Sequence, residues 1–374
     1  SKATIACWAM GLTQHRNGVA VIQEIVNLLL LGGHVGKKGA GFCPVRGHSN
    51  VQGDRTVGIW EAPTDAFLDR LQEGLGFEVP REHGHDVVNA IDAMVRSDID
   101  FFFCMGGNFL SATPDTDVTA RGLSKIPLTV QVSTKLNRSH LVTGETAIIL
   151  PCLGRTELDV QGGVKQFVTV ENSMGVVHRS QGGLQPASTS LRSEPWIVAE
   201  LAESTLGIEH LEWRVLGQDY SKIRDLMEQS LFGFDQYNER VNSPNGFELP
   251  NPPRDSQSFS TQDGKAHFTA HDLPNLEVDD DQYVMMTLRS HDQYNTTIYG
   301  LSDRYRGVKG NRRVVFMNAT DMVERGWKAR TKVNITSHFK GEKRHSENWL
   351  IVPYDIPSGN IATYFPEANS LVPL

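Results

Sequence analysis

Apolar residues recur at helical spacing through Val19, Ile22, Val26, Leu29 and Leu30 and predict a helix over residues 18–31. Asn17 is the expected cap, and Gly32-Gly33 the expected stop. An apolar stretch at 3–8 reads as a strand. Shorter periodic segments predict helices at 65–72, 86–97 and 115–123. Between them, the continuous apolar run at 101–105 reads as a strand covered on both faces. Further strands are expected at 128–132 and 147–150, with a helical turn near Asn137. The first 150 residues therefore alternate strand and helix, the order of a parallel α/β sheet with flanking helices.

Beyond Pro151 the pattern loosens. Residues 152–190 are polar and loop-rich, with turns at Gln161-Gly162-Gly163 and Gln181-Gly182-Gly183 and a strand at 167–170. Ser193 is placed to cap a helix over 194–206 with Glu194 and Pro195 in its first turn, and another helix follows at 220–231. Prolines, asparagines and serines then dominate without a long apolar period, and 241–280 reads as a linker. The last hundred or so residues change character. Strands are expected at 283–288, 313–317, 332–335, 349–352 and 361–364, with one helix at 319–325, which together suggest a small β-barrel. The linear division is thus 1–240, 241–280 and 281–374.

Composition narrows the classes. The 374 residues favour two domains, and 39% hydrophobic with 21% charged residues is a globular balance. A formal net charge of −8 argues against nucleic acid as the main partner. Cys7, Cys43, Cys104 and Cys152 are scattered with no CxxC, which supports neither a zinc site nor a thiol–disulfide motif and fits a reducing cytoplasm. No apolar run is long enough for a membrane span, and no signal peptide is evident. The chain opens without Met on what reads as a strand already under way, so a fragment of a longer protein is expected.

Candidate chemistry concentrates in polar segments at strand ends. The stretch 39–53, with Arg46, Gly47, His48, Asn50 and Gln52 among several glycines, reads either as a tight surface connection or as a loop whose backbone meets a ligand. Arg46 suits a carboxylate or phosphate, and His48, Asn50 and Gln52 alternate so that they could face one way. Gly106, Gly107 and Asn108 follow one strand, and Gln131, Ser133 and Thr134 close the next; ligands bind at the carboxyl ends of such strands. Arg289, Gln293 and Asn295 form a dense polar run after the first barrel strand. There is no GxGxxG, P-loop, HExxH or Gx[ST]xG, and neither His83 with His85 nor Asp54 with Glu61 makes a convincing metal or carboxylate pair.

One resemblance is specific. Trp8-Ala9-Met10-Gly11, the run from Gly32 to Gly41, and Pro44-Val45-Arg46-Gly47-His48-Ser49-Asn50-Val51-Gln52-Gly53 resemble the large subunits of molybdopterin oxidoreductases of the DMSO-reductase superfamily. Within it the chain is similar to the formate dehydrogenase alpha-subunit branch, and most of all to formate-dehydrogenase-like members, through Ile149-Leu150-Pro151-Cys152-Leu153-Gly154-Arg155-Thr156-Glu157 and Gln166-Phe167-Val168-Thr169-Val170-Glu171-Asn172-Ser173-Met174. The resemblance runs along essentially the whole chain and ends in a segment like the family's double-psi, dinucleotide-binding β-barrel, with Leu288-Arg289-Ser290 and Asn318-Ala319-Thr320-Asp321.

That resemblance implies a bis(molybdopterin guanine dinucleotide) cofactor carrying molybdenum or tungsten, held between an α/β domain and the barrel. It gives Arg46 and His48 catalytic positions beside a small substrate such as formate, although His48 stands where formate dehydrogenases carry glutamine. It gives Gly47, Gly106, Gly107, Asn108, Gln131, Ser133, Arg289, Gln293 and Asn295 to cofactor binding, with Asn108 replacing the usual acidic residue. No metal ligand is expected in this stretch. The family's 4Fe-4S cysteines and metal-ligating residue belong to an N-terminal part not present here, so this fragment alone is expected to be inactive; an electron-transfer partner protein is implied for the whole. The alternative is a nucleotide-binding scaffold or regulatory protein that keeps the fold without redox chemistry.

Overall fold

The computed structural model describes residues 2–45, 47–48, 51–275 and 278–374. Strands β1 (Ile5–Trp8) and β2 (Gly41–Pro44) form a parallel pair, and β3 (Phe101–Met105), β4 (Leu128–Ser133) and β5 (Thr146–Pro151) form a separate parallel sheet in that order. The ribbon β6 (Val160–Gln161)–β7 (Val164–Lys165) folds about the Gly162-Gly163 turn. Strands β8 (Val168–Glu171), β9 (Val176–Ser180) and β10 (Phe247–Glu248) make an antiparallel sheet. Last come β11 (Val284–Leu288), β12 (Val314–Met317), β13 (Lys332–Phe339), β14 (Glu342–Pro353) and β15 (Asn360–Tyr364), one mixed sheet in the order β11-β15-β12-β14-β13. The protein is a mixed α/β chain with parallel sheets and a C-terminal β-sheet domain.

The chain divides into two compact units that cross the linear division at 240 and 280. One comprises Ser1–Gly84 with Leu153–Asn275; the other comprises His85–Cys152 with Leu276–Leu374. The sheet β3-β4-β5 therefore belongs with the C-terminal strands and not with β1-β2. Specific contacts explain this. Arg344 of β14 binds Asp115 at 2.8 Å, and Asp115 is buried. The Asn369 amide donates to the carbonyls of Ser111 and Thr113. The parallel sheet expected across residues 1–150 is thus two sheets in two units.

In the first unit, α1 (Gly18–Leu31) buries Leu29 but leaves Val19 and Leu28 exposed, so its apolar stripe is wider than the surface the unit lays over it. Asn17 adopts φ −100° and ψ 16°, not the extended geometry of a side-chain cap, and makes no capping bond. Helix α2 (Asp65–Leu75) starts on Thr64, whose hydroxyl accepts from the Phe67 amide, and stops on Gly76 at φ 77°. The core gathers Val177, Leu231, Phe234, Tyr237, Val241, Phe247 and Leu249. Several of these lie in the stretch 241–280, which is therefore not a tether over its first part. Its later part is also pinned, because the Asn27 side chain pairs both ways with the Thr269 backbone.

In the second unit, α3 (Val87–Arg96) is capped by Asp86 and buries Ile91, Ala93 and Met94, while Val87 and Val88 stay exposed. Helices α4 (Phe109–Ala112) and α5 (Thr116–Leu123) follow β3. Strand β4 is central and buried, but β3 is an edge strand with Phe101 and Met105 exposed, so the run 101–105 is not covered on both faces. In the C-terminal sheet β12 lies between β15 and β14 and alternates its side chains into two cores. Val315 and Met317 join Trp349, Ile351 and Leu371, while Val314 and Phe316 join Ala362 and Tyr364. Each such fully buried side chain contributes roughly 1.5–3 kcal/mol.

Candidate functional site

Candidate residues lie in both units. In the first, the glycine-rich stretch begins as a strand, which the residue types did not suggest: Gly41–Pro44 pairs in register with β1. The loop proper starts where Val45 N–H donates to the Trp8 carbonyl at 2.7 Å. Arg46, Ser49 and Asn50 lie outside the described residues. Val51 N–H donates to the His48 carbonyl at 3.0 Å, and the alternation expected of His48, Asn50 and Gln52 involves a residue outside the described ones. Gln52 points back into the loop, its Nε2 donating to the Gly47 carbonyl at 3.1 Å. Beneath, Cys43 stands opposite Cys7, and burial, then the neighbouring thiol, raises the Cys43 pKa. Burial raises the Asp54 carboxyl against the pull of Arg55, while Glu61 pairs with Arg55 at 3.0 Å; Asp54 and Glu61 are not a carboxylate pair.

In the second unit, the ends of β3 and β4 meet the turn 137–141. Gly106 takes φ 71°, and its N–H donates to the Val132 carbonyl. The Gly107 carbonyl accepts from Asn137 Nδ2 at 3.0 Å. Asn108 Oδ1 accepts from Ser139 Oγ at 2.9 Å, and that hydroxyl in turn accepts from Leu110 N–H. Gln131 Nε2 donates to the Ser139 carbonyl at 3.2 Å. Ser133 Oγ closes a turn on the Lys135 carbonyl. Gly106, Gly107, Asn108 and Gln131 are therefore brought together, with Ser133 ending the same strand as Gln131.

Two buried polar atoms in this group have no partner: the acceptor Gln131 Oε1 and His140 Nε2. His140 Nδ1 accepts from Asn137 N–H at 3.0 Å, which leaves the imidazole proton on Nε2 as an unused donor. An unsatisfied buried polar group costs about 1–3 kcal/mol, so such atoms mark a ligand position or a strain reservoir. Asn137, Ser139 and His140 escape sequence reasoning because Ser139 meets Asn108 across 31 positions. The polar run at 137–140 was the available signal.

The loop after β11 is built on charge. Arg312 is buried and bonds Glu367 at 2.7 Å, Ser290 Oγ at 2.7 Å, Gln293 Oε1 at 3.0 Å and the Phe365 carbonyl at 2.8 Å. Gln293 also donates to the Asn295 and Phe365 carbonyls, so its whole amide is used within the loop. Asn295 takes φ 47°, a left-handed conformation that asparagine tolerates. Arg289 is exposed; its guanidinium lies 5.7 Å from the Phe365 ring centroid and pairs with no carboxylate among the described residues. Asp303 is buried. Burial opposes its charge, but hydrogen bonds from Tyr364, the His291 N–H and Arg306 outweigh that and hold its carboxyl down at about 2. Neither Arg312 nor Asp303 stood out from the sequence.

Among the described residues, no group of three or more His, Cys, Asp or Glu could hold a metal, and His83 and His85 are both exposed. No described helix is long and apolar enough to cross a membrane.

No family model matches the chain. Along its whole length it is 53% identical, over 380 residues, to an uncharacterised oxidoreductase of Mycobacterium tuberculosis (strain H37Rv), covering 49% of that protein. It is 45% identical over 382 residues to protein YdeP of Escherichia coli (strain K12), again along all of this chain and 50% of that one. A protein of Staphylococcus haemolyticus named "putative formate dehydrogenase" is 25% identical over 211 residues, 54% of this chain and 20% of that protein. The chain spans about half the length of the curated relatives it matches most fully.

Proposed function

We propose that this chain is part of a molybdopterin-dependent, formate-dehydrogenase-like oxidoreductase that acts on a small substrate by two-electron chemistry in the cytoplasm. The observation that carries the reading is the strand-end cradle of Gly106, Gly107, Asn108 and Gln131, which leaves a buried acceptor and a buried donor without partners. A guanine-type heterocycle offers both donors and acceptors, which matches that pair in chemical kind. The exposed Arg289 guanidinium fits a phosphate. Whole-length similarity to proteins named oxidoreductases supports the same class.

In this reading Gly106, Gly107, Asn108, Gln131 and Ser133 hold one guanosine half, and Arg289 and Asn295 hold the other dinucleotide. Gln293 shapes their loop from within, since its amide is already used. The C-terminal sheet is the family's double-psi barrel. When bound, the molybdenum or tungsten of bis(molybdopterin guanine dinucleotide) supplies the two-electron chemistry. Arg46 binds and orients an anionic substrate, with formate the first to try, and a fixed cation there stabilises negative charge without reorganisation. His48 contributes an imidazole with one donor and one acceptor nitrogen in its neutral form. In this reading the whole protein also carries a 4Fe-4S cluster and passes electrons to a separate partner protein.

The test is metal and nucleotide analysis of the full-length protein. Molybdenum or tungsten together with guanosine released on hydrolysis is expected. Guanosine without either metal would favour a nucleotide-binding scaffold, and the absence of both would remove the reading.

A further inference from the structure

We infer that Cys7 and Cys43 form a thiol–disulfide exchange site, at which a small-molecule disulfide oxidises the two thiols to a bond across β1 and β2. The chemistry needs no cofactor. Strands β1 and β2 run parallel, with Cys7 the register partner of Cys43. Register partners on neighbouring strands send their side chains to the same face, and such strands lie about 4.7–4.9 Å apart. A disulfide spans Cα atoms about 4.4–6.8 Å apart, so backbones at strand spacing are already within its reach. The two thiols are also in contact, joined by a side-chain hydrogen bond. Cys7 is exposed and Cys43 half-buried, so one sulfur meets solvent and the other waits beside it. The other two cysteines are placed differently. Cys104 lies in β3 and Cys152 follows β5, with β4 running between those strands.

The pair sits in a sheet of two strands, with no third neighbour among the described residues. Side chains on parallel neighbours stand side by side and do not converge, so forming the bond requires a small shift of the strands. A two-stranded pair can make that shift more easily than a sheet interior. A bond formed with such adjustment is readily reduced again, which suits a reversible site better than a permanent brace. The exchange takes two steps. The Cys7 thiolate attacks one sulfur of the small disulfide, whose S–S bond breaks; a mixed disulfide forms on Cys7 and one thiolate leaves. Cys43 then gives its proton to solvent and attacks the Cys7 Sγ; the mixed disulfide breaks, the Cys7–Cys43 bond forms, and the second thiolate leaves. Two protein thiols lose two electrons and two protons, and the small disulfide becomes two thiols. Burial and the neighbouring thiol hold the Cys43 pKa above its ordinary value. Less of it is thiolate, so Cys43 suits the second step, where its target is held beside it.

The experiment incubates the full-length protein with glutathione disulfide, alkylates the remaining thiols, and maps the peptides by mass without reduction. The peptides carrying Cys7 and Cys43 are expected to be joined, with two alkylation sites lost and two glutathione thiols released per protein, and dithiothreitol is expected to restore both sites. Cys43→Ser is expected to stop at a glutathione adduct on Cys7, and Cys7→Ser to lack that adduct. Cys104→Ser is expected to join as the wild type does. The wild-type map alone decides the matter should a variant fail to fold. Both thiols alkylated after the oxidant, both neither alkylated nor joined, or a lasting adduct on Cys7 in the wild type would each overturn the inference. The map is read without substrate, so an absence of metal and guanosine would sink the proposed function and leave this result standing.

Discussion

The glycine loop of the first unit and the loop after β11 of the second are both polar, both irregular and both candidates for ligand contact, yet they are held in opposite ways. The loop after β11 hangs on buried charge: Arg312 on Glu367, and Asp303 on Arg306, Tyr364 and His291. The glycine loop hangs on neutral or one-sided hydrogen bonds from Gln52, Thr56 and the Glu171 backbone. Removing one member of a buried charged set leaves an uncompensated charge, so such a loop is rigid or lost. A loop held by single hydrogen bonds loses about 1 kcal/mol per bond and can loosen locally. Under the proposed function, this difference would amount to a division of labour in which one loop grips a large ligand permanently and the other adjusts around a small one.

The contrast is easiest to break at Arg312. Arg312→Leu should cost about 3–5 kcal/mol in denaturant unfolding, because Glu367 is left without its partner; a loss below about 1 kcal/mol would show that charge does not hold the loop after β11. Acid comes next. The folded pKa of Asp303 lies below its unfolded value of about 3.9, so its contribution is complete above that pH and disappears as pH falls toward about 2. Stability should therefore drop by about 2 kcal/mol between roughly pH 4 and pH 2, and Asp303→Asn should flatten that step. The cradle gives a smaller effect. Gln131→Leu should change stability by about 1 kcal/mol or less, since it gives up one hydrogen bond but also removes an unpartnered buried acceptor. The glycine loop gives the smallest: Gln52→Leu should shift global unfolding by about 0.5 kcal/mol, within a melting-curve comparison that would easily register the Arg312 change.

Local rules made much of the fold legible. Ser193 caps the helix Glu194–Leu206 as its position suggests, its hydroxyl accepting from the Trp196 amide. The C-terminal strands fall where apolar residues cluster, although β14 extends from Glu342 well before its apolar end at Trp349. Strand β2 was hidden because its first residue is glycine and its pairing partner lies 36 positions earlier, at Ile5 opposite Gly41. The exposure of Phe101 was hidden for a related reason: apolar residues mark a strand but not whether it ends up at the edge of a sheet. In the candidate sites, residue types pointed to Asn108, Gln131 and Gln293 but not to their roles. Gln293 is consumed by its own loop, Gln131 keeps an acceptor unused, and only the fold distinguishes them.

The division of labour has one direct test. In the full-length protein, Arg289→Ala and Arg46→Ala are purified in parallel and their bound guanosine and metal are measured beside substrate turnover. Arg289→Ala is expected to lose a large part of the guanosine, whereas Arg46→Ala retains guanosine and metal at wild-type levels and loses turnover. Full cofactor retention in Arg289→Ala, or normal turnover in Arg46→Ala, would contradict it.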